Sequence, residues 1–181
     1  MAKIVKAAGV AVVLVGIAVS FKYILTVNPP FPPPPPDAVQ SVEEGDSEDL
    51  AVRRAYFTNY TRDQVVEHYK AHFRKYPTFR LNYPPEDAQT LIRDQTRSYY
   101  LEELVHPMRE SLYINGFVPQ RPQDEIWYKG EHFEQKITIK YVSSKVFWRV
   151  AVIILVVGIM GVLAGEWMVE VRRGIGLLKK K

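Results

Sequence analysis

Residues 150–165 read VAVIILVVGIMGVLAG, an uncharged apolar run of the kind that crosses a lipid bilayer. With its flanks it covers residues 146–169, close to the about 20 residues that an α-helix needs to cross about 30 Å of hydrocarbon. Trp148 and Trp167 lie near its two boundaries, where interfacial aromatic residues are common. We expect the Arg149 side chain to reach outward to water. The run predicts a transmembrane helix over residues 145–171.

A second apolar stretch, residues 7–27, lies near the N-terminus and is interrupted by Lys22. Asn28 and Pro29 would end a helix there. The stretch predicts a first transmembrane helix, so that residues 1–27 form a short cytoplasmic N-terminus and a span. The alternative is a cleaved signal peptide, with residues 18–20 (AVS) as a small-residue cleavage site. Apolar sequence continues after Lys22, which favours a retained anchor.

The basic residues near the spans predict the orientation, because positive residues are retained on the cytoplasmic side. Three basic residues flank the central region, and seven lie at the chain ends. Both termini are therefore expected in the cytoplasm, with residues 172–181 as a basic cytoplasmic tail, and the central domain is expected outside the cell membrane. The flanking residues are Lys22, Lys145 and Arg149, and the terminal ones are Lys3, Lys6, Arg172, Arg173, Lys179, Lys180 and Lys181.

The chain has a net charge of +4, and the excess of basic residues lies outside the central region. Residues 28–144 carry 14 of the 24 basic residues and 18 of the 20 acidic ones, so the domain itself is acidic. Basic residues that flank membrane spans attract anionic lipid head groups. A nucleic-acid-binding protein, in contrast, needs its basic patch on the folded domain. The expected partners therefore include membrane lipid and exclude nucleic acid. The chain has no cysteine, so a hydrophobic core without disulfides must hold the domain together.

Residues 28–49 are predicted to be a linker. Seven prolines between Pro29 and Pro36 favour an extended polyproline II conformation, which acts as a semi-rigid spacer. Residues 37–49 are acidic and contain no aromatic residue, a composition typical of disordered segments. We expect the two segments together to separate the folded domain from the first span.

Residues 50–144 are predicted to form one α+β domain in the order β-α-β-α-β-β-β, with the helices on one side of an antiparallel sheet. Thr61 and Gln64 have the spacing of a capping box at the start of the first helix. A C-terminal antiparallel hairpin turning at residues 129–131 is expected to join the last two strands. The predicted strands are 52–58, 78–83, 111–118, 125–128 and 132–142, and the predicted helices begin at Thr61 and Pro84, the second extending to Val105 before Pro107.

Two histidine spacings in the sequence resemble those of metal sites. His68 and His72 lie one turn apart on the first predicted helix, but no third ligand has a matching position. Glu103 and His106 have the Glu-x-x-His spacing of carboxylate di-iron sites, which require two such motifs and further glutamates. The sequence therefore predicts no metal site and no cofactor.

The densest polar cluster, between residues 93 and 110, is interleaved with tyrosines. Tyrosine and arginine are common anchors of protein interfaces, which predicts a binding surface. The alternative is a solvated helix face beside tyrosines of the core. The residues predicted to bind are Arg97, Tyr99, Tyr100 and Arg109.

The sequence predicts a two-span membrane protein with an extracytoplasmic binding or assembly domain, a non-catalytic component of a membrane or cell-envelope complex. Small-residue faces at Gly16/Ser20 and Gly161/Gly165 predict close helix packing, with a protein partner or as a homo-oligomer. The alternative is a membrane-tethered enzyme acting on an envelope or lipid substrate, for which His106, Glu103 and Arg109 are the candidate catalytic residues. No complete catalytic arrangement is recognisable in the sequence.

Overall fold

The computed structural model describes residues 2–43, 45–46, 51–92 and 98–178. The chain divides into a sheet-containing unit, Asn28–Ser143, and a helical unit formed by the described parts of Met1–Val27 and Ser144–Lys181. The helices are α1 (Ala2–Leu25), α2 (Arg62–His72), α3 (Pro85–Leu91) and α4 (Val146–Leu178). The strands are β1 (Val39–Gln40), β2 (Arg53–Thr58), β3 (Phe79–Tyr83), β4 (Tyr100–Val105), β5 (Ser111–Phe117), β6 (Ile126–Tyr128), β7 (Glu131–Phe133) and β8 (Gln135–Val142).

The sheet-containing unit has the mixed α+β class that the sequence predicts. Six strands form one sheet in the order β1-β2-β8-β5-β4-β3, and every neighbouring pair is antiparallel. The short strands β6 and β7 pair separately as an antiparallel hairpin. In the sheet the last strand, β8, lies between β2 and β5, so the core depends on contacts between distant parts of the chain.

Helix α2 covers one face of the sheet. Thr61 and Gln64 form the predicted capping box, which satisfies two backbone N–H groups at the start of the helix. One side of the helix then presents Val65, Tyr69 and Phe73 to the sheet. These side chains are packed among the inward residues of β2, β4, β5 and β8, namely Tyr56, Tyr100, Leu104, Leu112, Ile114, Ile137, Ile139 and Tyr141.

The opposite face of the sheet is covered by two smaller elements. Ala88 of α3, with Ile92 just after the helix, packs on Leu101, and the β6–β7 hairpin packs through Ile126 on Phe57. Because neighbouring residues of a strand point to opposite faces, α2 and α3 lie on different sides of the sheet. The expectation that both helices share one side is therefore wrong.

The second predicted helix is much shorter than expected. It ends at Leu91, and Tyr100–Val105 form strand β4 rather than its last turns. In β4 both faces are buried, so apolar residues occur on both sides of the strand. The resulting spacing of Leu101, Leu104 and Val105 resembles a helical period, which is why the sequence pattern predicts a helix as far as Val105. Residues 93–97 lie outside the described part of the chain.

The predicted turn of the last hairpin is confirmed. Lys129 and Gly130 both have positive φ, as a two-residue type I′ turn requires. The strand predicted over 132–142 is divided, however. Residues 131–133 close the hairpin as β7, whereas residues 135–142 form β8 in the main sheet.

Much of the predicted linker is packed against the sheet. Phe31 makes an edge contact with Tyr141, with ring centroids 6.5 Å apart, and Pro32 and Pro35 are buried. The Asp37 carboxylate accepts hydrogen bonds from the Thr58 hydroxyl and the backbone N–H of residue 59, and β1 pairs with β2. The expectation of disorder over 37–49 is therefore wrong for residues 37–43, 45 and 46.

In the helical unit, residues Val146–Val171 of α4 are long and apolar enough to cross a membrane, judged by length and composition. The apolar part of α1, Gly9–Leu25, is shorter. Among the described residues, α4 is thus the one helix that meets this criterion. The two-span arrangement is not confirmed.

Arg149 of α4 is positioned differently from the expectation. Its side chain is buried instead of reaching outward, and its guanidinium donates hydrogen bonds to the backbone carbonyls of Ile24, Thr26 and Ser144. The last carbonyls of a helix have no partner within the helix, and a cation there is favourable. Arg149 therefore connects the end of α1 to the beginning of α4.

Candidate functional site

A fully buried carboxylate, that of Glu102 in β4, is held by side chains from α2 and β3. The Arg80 Nε donates to Glu102 Oε2 at 2.8 Å, and the Arg62 Nε donates to Oε1 at 2.9 Å. Asn82 Nδ2 donates to the same Oε1 at 3.0 Å. The carboxylate thus joins the first turn of α2 to the edge strand of the sheet.

Electrostatics keeps this carboxylate ionised. Burial raises the pKa of Glu102, but the hydrogen bonds and positive charges of Arg80 and Arg62 outweigh burial and hold that pKa below its usual range. The same hydrogen bond raises the pKa of Arg80. A buried carboxylate paired with two arginines is a structural ion bridge and a poor proton donor at neutral pH.

A second ionic cluster lies in the turn between β4 and β5. Glu110 is fully buried, and its two carboxylate oxygens lie 2.9 Å from His106 Nδ1 and 3.0 Å from Arg109 Nε. His106 also stacks on Phe73, with ring centroids 3.9 Å apart. The Arg109 guanidinium lies 4.5 Å from the ring centroid of Tyr76.

Both ring nitrogens of His106 are engaged. Nε2 lies 2.7 Å from the carbonyl oxygen of Phe73, which can only accept, and Nδ1 faces the Glu110 carboxylate. The ring therefore has no nitrogen available to a substrate.

Glu103, the carboxylate among the candidate catalytic residues, lies on the face of β4 opposite to Glu102. It accepts a hydrogen bond from the Tyr83 hydroxyl, and this bond, with burial, raises the pKa of Tyr83 to about 12. Burial is also the main cause that raises the pKa of Tyr113, which faces the same carboxylate. The structure therefore does not bring His106, Glu103 and Arg109 together as a catalytic group.

Among the described residues predicted to bind a partner, Tyr99, Tyr100 and Arg109 do not form one surface. Tyr99 is exposed, but Tyr100 is buried, and its hydroxyl donates to Gln135 Oε1 at 2.7 Å. The Arg109 side chain is only 6% exposed and lies beyond the other end of β4. Arg97 lies outside the described residues.

The position of the Tyr100 ring explains why a glycine occurs at position 116. Gly116 lies within β5, directly opposite Tyr100 in β4. A Cβ added at Gly116 would lie 2.1 Å from carbons of the Tyr100 ring. Gly116 is therefore required for the close approach of this ring to the sheet.

Two adjoining cavities of about 310 and 300 Å³ form a cleft where β2 and β5 end and β8 begins. Val118 and Glu134 line both cavities. Gln135 forms part of the floor, and its side-chain amide donates to the Tyr60 carbonyl while Tyr100 donates to its oxygen. We call these two cavities the cleft; its other lining residues are Asn59, Tyr60, Thr61, Arg62, Pro119, Gln120, Arg121, Pro122, Glu125, His132 and Phe133.

The cleft has the mixed character of a binding surface. It carries charges of both signs, from Arg62 and Arg121 and from Glu125 and Glu134, beside apolar surface from Val118 and the prolines. Sequence reasoning missed it because its residues come from three distant segments. Among the described residues, no group of three His, Asp or Glu side chains is placed to hold a metal ion.

Comparisons of the chain with protein-family models, with curated proteins and with solved structures find no significant match. Function therefore has to be inferred from the geometry of this chain alone.

Proposed function

We propose that the protein is a non-catalytic binding or assembly component of a membrane or cell-envelope complex, and that the cleft binds its protein partner. One observation carries this proposal. The buried ionisable groups Glu102, Glu103, His106 and Glu110 are engaged in internal ion pairs and hydrogen bonds, whereas the cleft is an open concavity with both charged and apolar lining. The alternative, an enzyme acting on an envelope or lipid substrate, has no support from this geometry.

We further propose that α1 and α4 both span the cell membrane, with cytoplasmic termini and the domain outside. The apolar part of α1 has 17 residues, Gly9–Leu25, which at 1.5 Å per residue is about 25 Å long and close to the lower limit for a span. The bonds from Arg149 to the last carbonyls of α1 support a helix pair, since they satisfy polar groups that lipid cannot.

The small-residue faces are proposed to contact a partner or a second copy. A Cβ added at Gly16, Gly161 or Gly165 would meet no atom within 4 Å, so these glycines do not mediate the contact between α1 and α4. Small residues in spans allow other helices to approach closely. These faces are therefore open to helices of a complex.

Topology is tested with single cysteines, because the chain has none of its own. Val42→Cys, at an exposed position of the domain, should react in intact cells with a membrane-impermeant thiol reagent. A cysteine added after Lys181 should react only after lysis. The reverse pattern would overturn the orientation.

Partner binding is tested by placing a photo-crosslinking amino acid at Gln120 in the cleft or at the exposed Lys70 of α2. In native membranes Gln120 should give one discrete adduct that Lys70 does not give. Adding Glu134→Lys should abolish this adduct, whereas Glu131→Lys, an exposed change outside the cleft, should leave it intact. Equal adducts from both positions, or insensitivity to Glu134→Lys, would contradict a partner site in the cleft.

A further inference from the structure

Three large apolar side chains are exposed at the end of the sheet opposite the cleft. Phe79, Met108 and Val142 are 58, 68 and 44% exposed, and we call them the apolar tip. Phe79 and Val142 belong to one row across the sheet, because Phe79 pairs with Val105, Val105 with Ser111, and Ser111 with Val142. Three strand spacings put them about 14 Å apart on the same face.

The apolar tip rests on a rigid base. Met108 lies in the turn between β4 and β5, and Phe79 follows the loop between α2 and β3. The ring of His106 joins these two segments by stacking on Phe73 and by its bond to the Phe73 carbonyl. Arg109 adds a contact with the Tyr76 ring of the same loop. The two segments therefore form one supported surface.

Met108 itself is displayed at a conformational cost. Its φ of 58° lies in the left-handed region, where glycine or asparagine is normally favoured. The Met108 side chain is 68% exposed, so most of its apolar surface faces away from the domain. A role for this surface outside the domain accounts for the conformational cost.

The position of Val142 in the chain indicates what covers the apolar tip. Only residues 143–145 separate it from Val146, where the candidate span begins, so the two Cα atoms lie within about 14 Å of each other. Phe147 and Trp148 form an exposed aromatic pair at that boundary, as is typical of the membrane interface. Lys75, in the loop that precedes Phe79, and Lys145, directly before α4, are both exposed. Their positive charges suit anionic lipid head groups.

We propose that the apolar tip inserts into the interface of the membrane that α4 is proposed to span. This inference rests on the proposed membrane anchoring by α4. It assigns the lipid surface as the direct ligand of Phe79, Met108 and Val142.

The test uses the full chain, reconstituted into vesicles of phosphatidylcholine and phosphatidylglycerol, with one cysteine carrying an environment-sensitive fluorophore. The probe positions are Met108→Cys and Phe79→Cys. Trp127→Cys, equally exposed but on the β6–β7 hairpin, is the matched control, and Val156→Cys reports on the span. Spin-labelled lipid is the quencher in the bilayer.

Probes at Met108 and Phe79 should emit at shorter wavelength and be quenched several-fold more by the spin-labelled lipid than the probe at Trp127. Quenching at Val156 without quenching at Met108 and Phe79 would overturn the proposed insertion of the apolar tip, but not the proposed anchoring by α4. A probe at Met108 that emits at short wavelength but is not quenched by the spin-labelled lipid would indicate that this position contacts protein. That result would also overturn the proposed membrane insertion. Absence of quenching at Val156 would refute the anchor, and the inference with it.

Discussion

The two ends of the sheet use polar and apolar residues in opposite ways. At the end bearing the apolar tip, His106, Arg109 and Glu110 are turned inward into a closed ionic cluster, and apolar side chains are displayed outside. At the cleft end, charged side chains line an open concavity, and an aromatic ring, that of Tyr100, is buried beneath it. The positions of charges in the sequence do not distinguish the two ends.

The contribution of a charged group to stability depends on its surroundings. Glu110 is enclosed by its partners, so any charge left there without a partner would be costly. Glu102 is equally buried, but its partners Arg62 and Arg80 are about 40% exposed and can turn to water. The same type of residue therefore contributes differently to stability at the two sites.

The largest effect is expected from Glu110→Ala. It would leave the buried guanidinium of Arg109 without its carboxylate and His106 Nδ1 without its partner, a loss that typically costs about 3–5 kcal/mol. Chemical unfolding of the full chain in detergent, followed by circular dichroism, measures it. The exposed control Glu131→Ala should change stability by less than about 0.5 kcal/mol. Equal effects of both changes would show that the cluster contributes nothing.

A smaller loss is expected at the cleft end from Gly116→Ala. The new methyl group would overlap the Tyr100 ring, and overpacking of this kind costs about 1–3 kcal/mol. When Tyr100→Leu is already present, adding Gly116→Ala should cost much less, because the overlapping ring is gone. A cycle of the four proteins measured by thermal unfolding tests this, and strictly additive losses would contradict the contact.

The pH dependence of stability should depend in part on Glu102. Its folded pKa lies below the unfolded value of about 4.3, so its stabilising contribution is present above that pH and is lost as the pH falls through the folded pKa. Between neutral pH and about pH 4.3 the difference in stability between the wild type and Glu102→Gln should stay constant. Below that, in unfolding measured pH by pH, the wild type should lose its advantage. A difference independent of pH would refute the assignment.

The smallest effect is expected at the apolar tip from Met108→Asn. Asparagine tolerates positive φ, and Met108 is mostly exposed, so stability should stay the same or rise by up to about 1 kcal/mol. Lipid quenching of the Phe79→Cys probe should nevertheless decrease. A clear loss of stability would mean that the methionine serves folding of the domain instead of the membrane.

Local patterns in the chain predicted several features correctly. The capping box at Thr61 and the turn at Lys129 and Gly130 depend on neighbouring residues alone, and both occur as expected. The predictions failed where distant contacts outweigh local preference. Tyr100–Val105 became a strand because partners on both sides and burial on both faces were available, and residues 37–43 became ordered by pairing with β2.

The α+β class and the apolar C-terminal helix could be predicted from the sequence, because hydrophobic runs and turn residues act within a few positions. The surroundings of each polar residue depend instead on long-range contacts in the folded chain. Arg109 and Tyr100 were expected to form one binding face, but the antiparallel pairing of β4 with β3 and β5 puts them at opposite ends of the sheet. The cleft depends on the same long-range pairing, since its residues 59–62, 118–122 and 134–135 meet only where β2, β5 and β8 align. Such contacts depend on the register between distant strands, which no local pattern encodes.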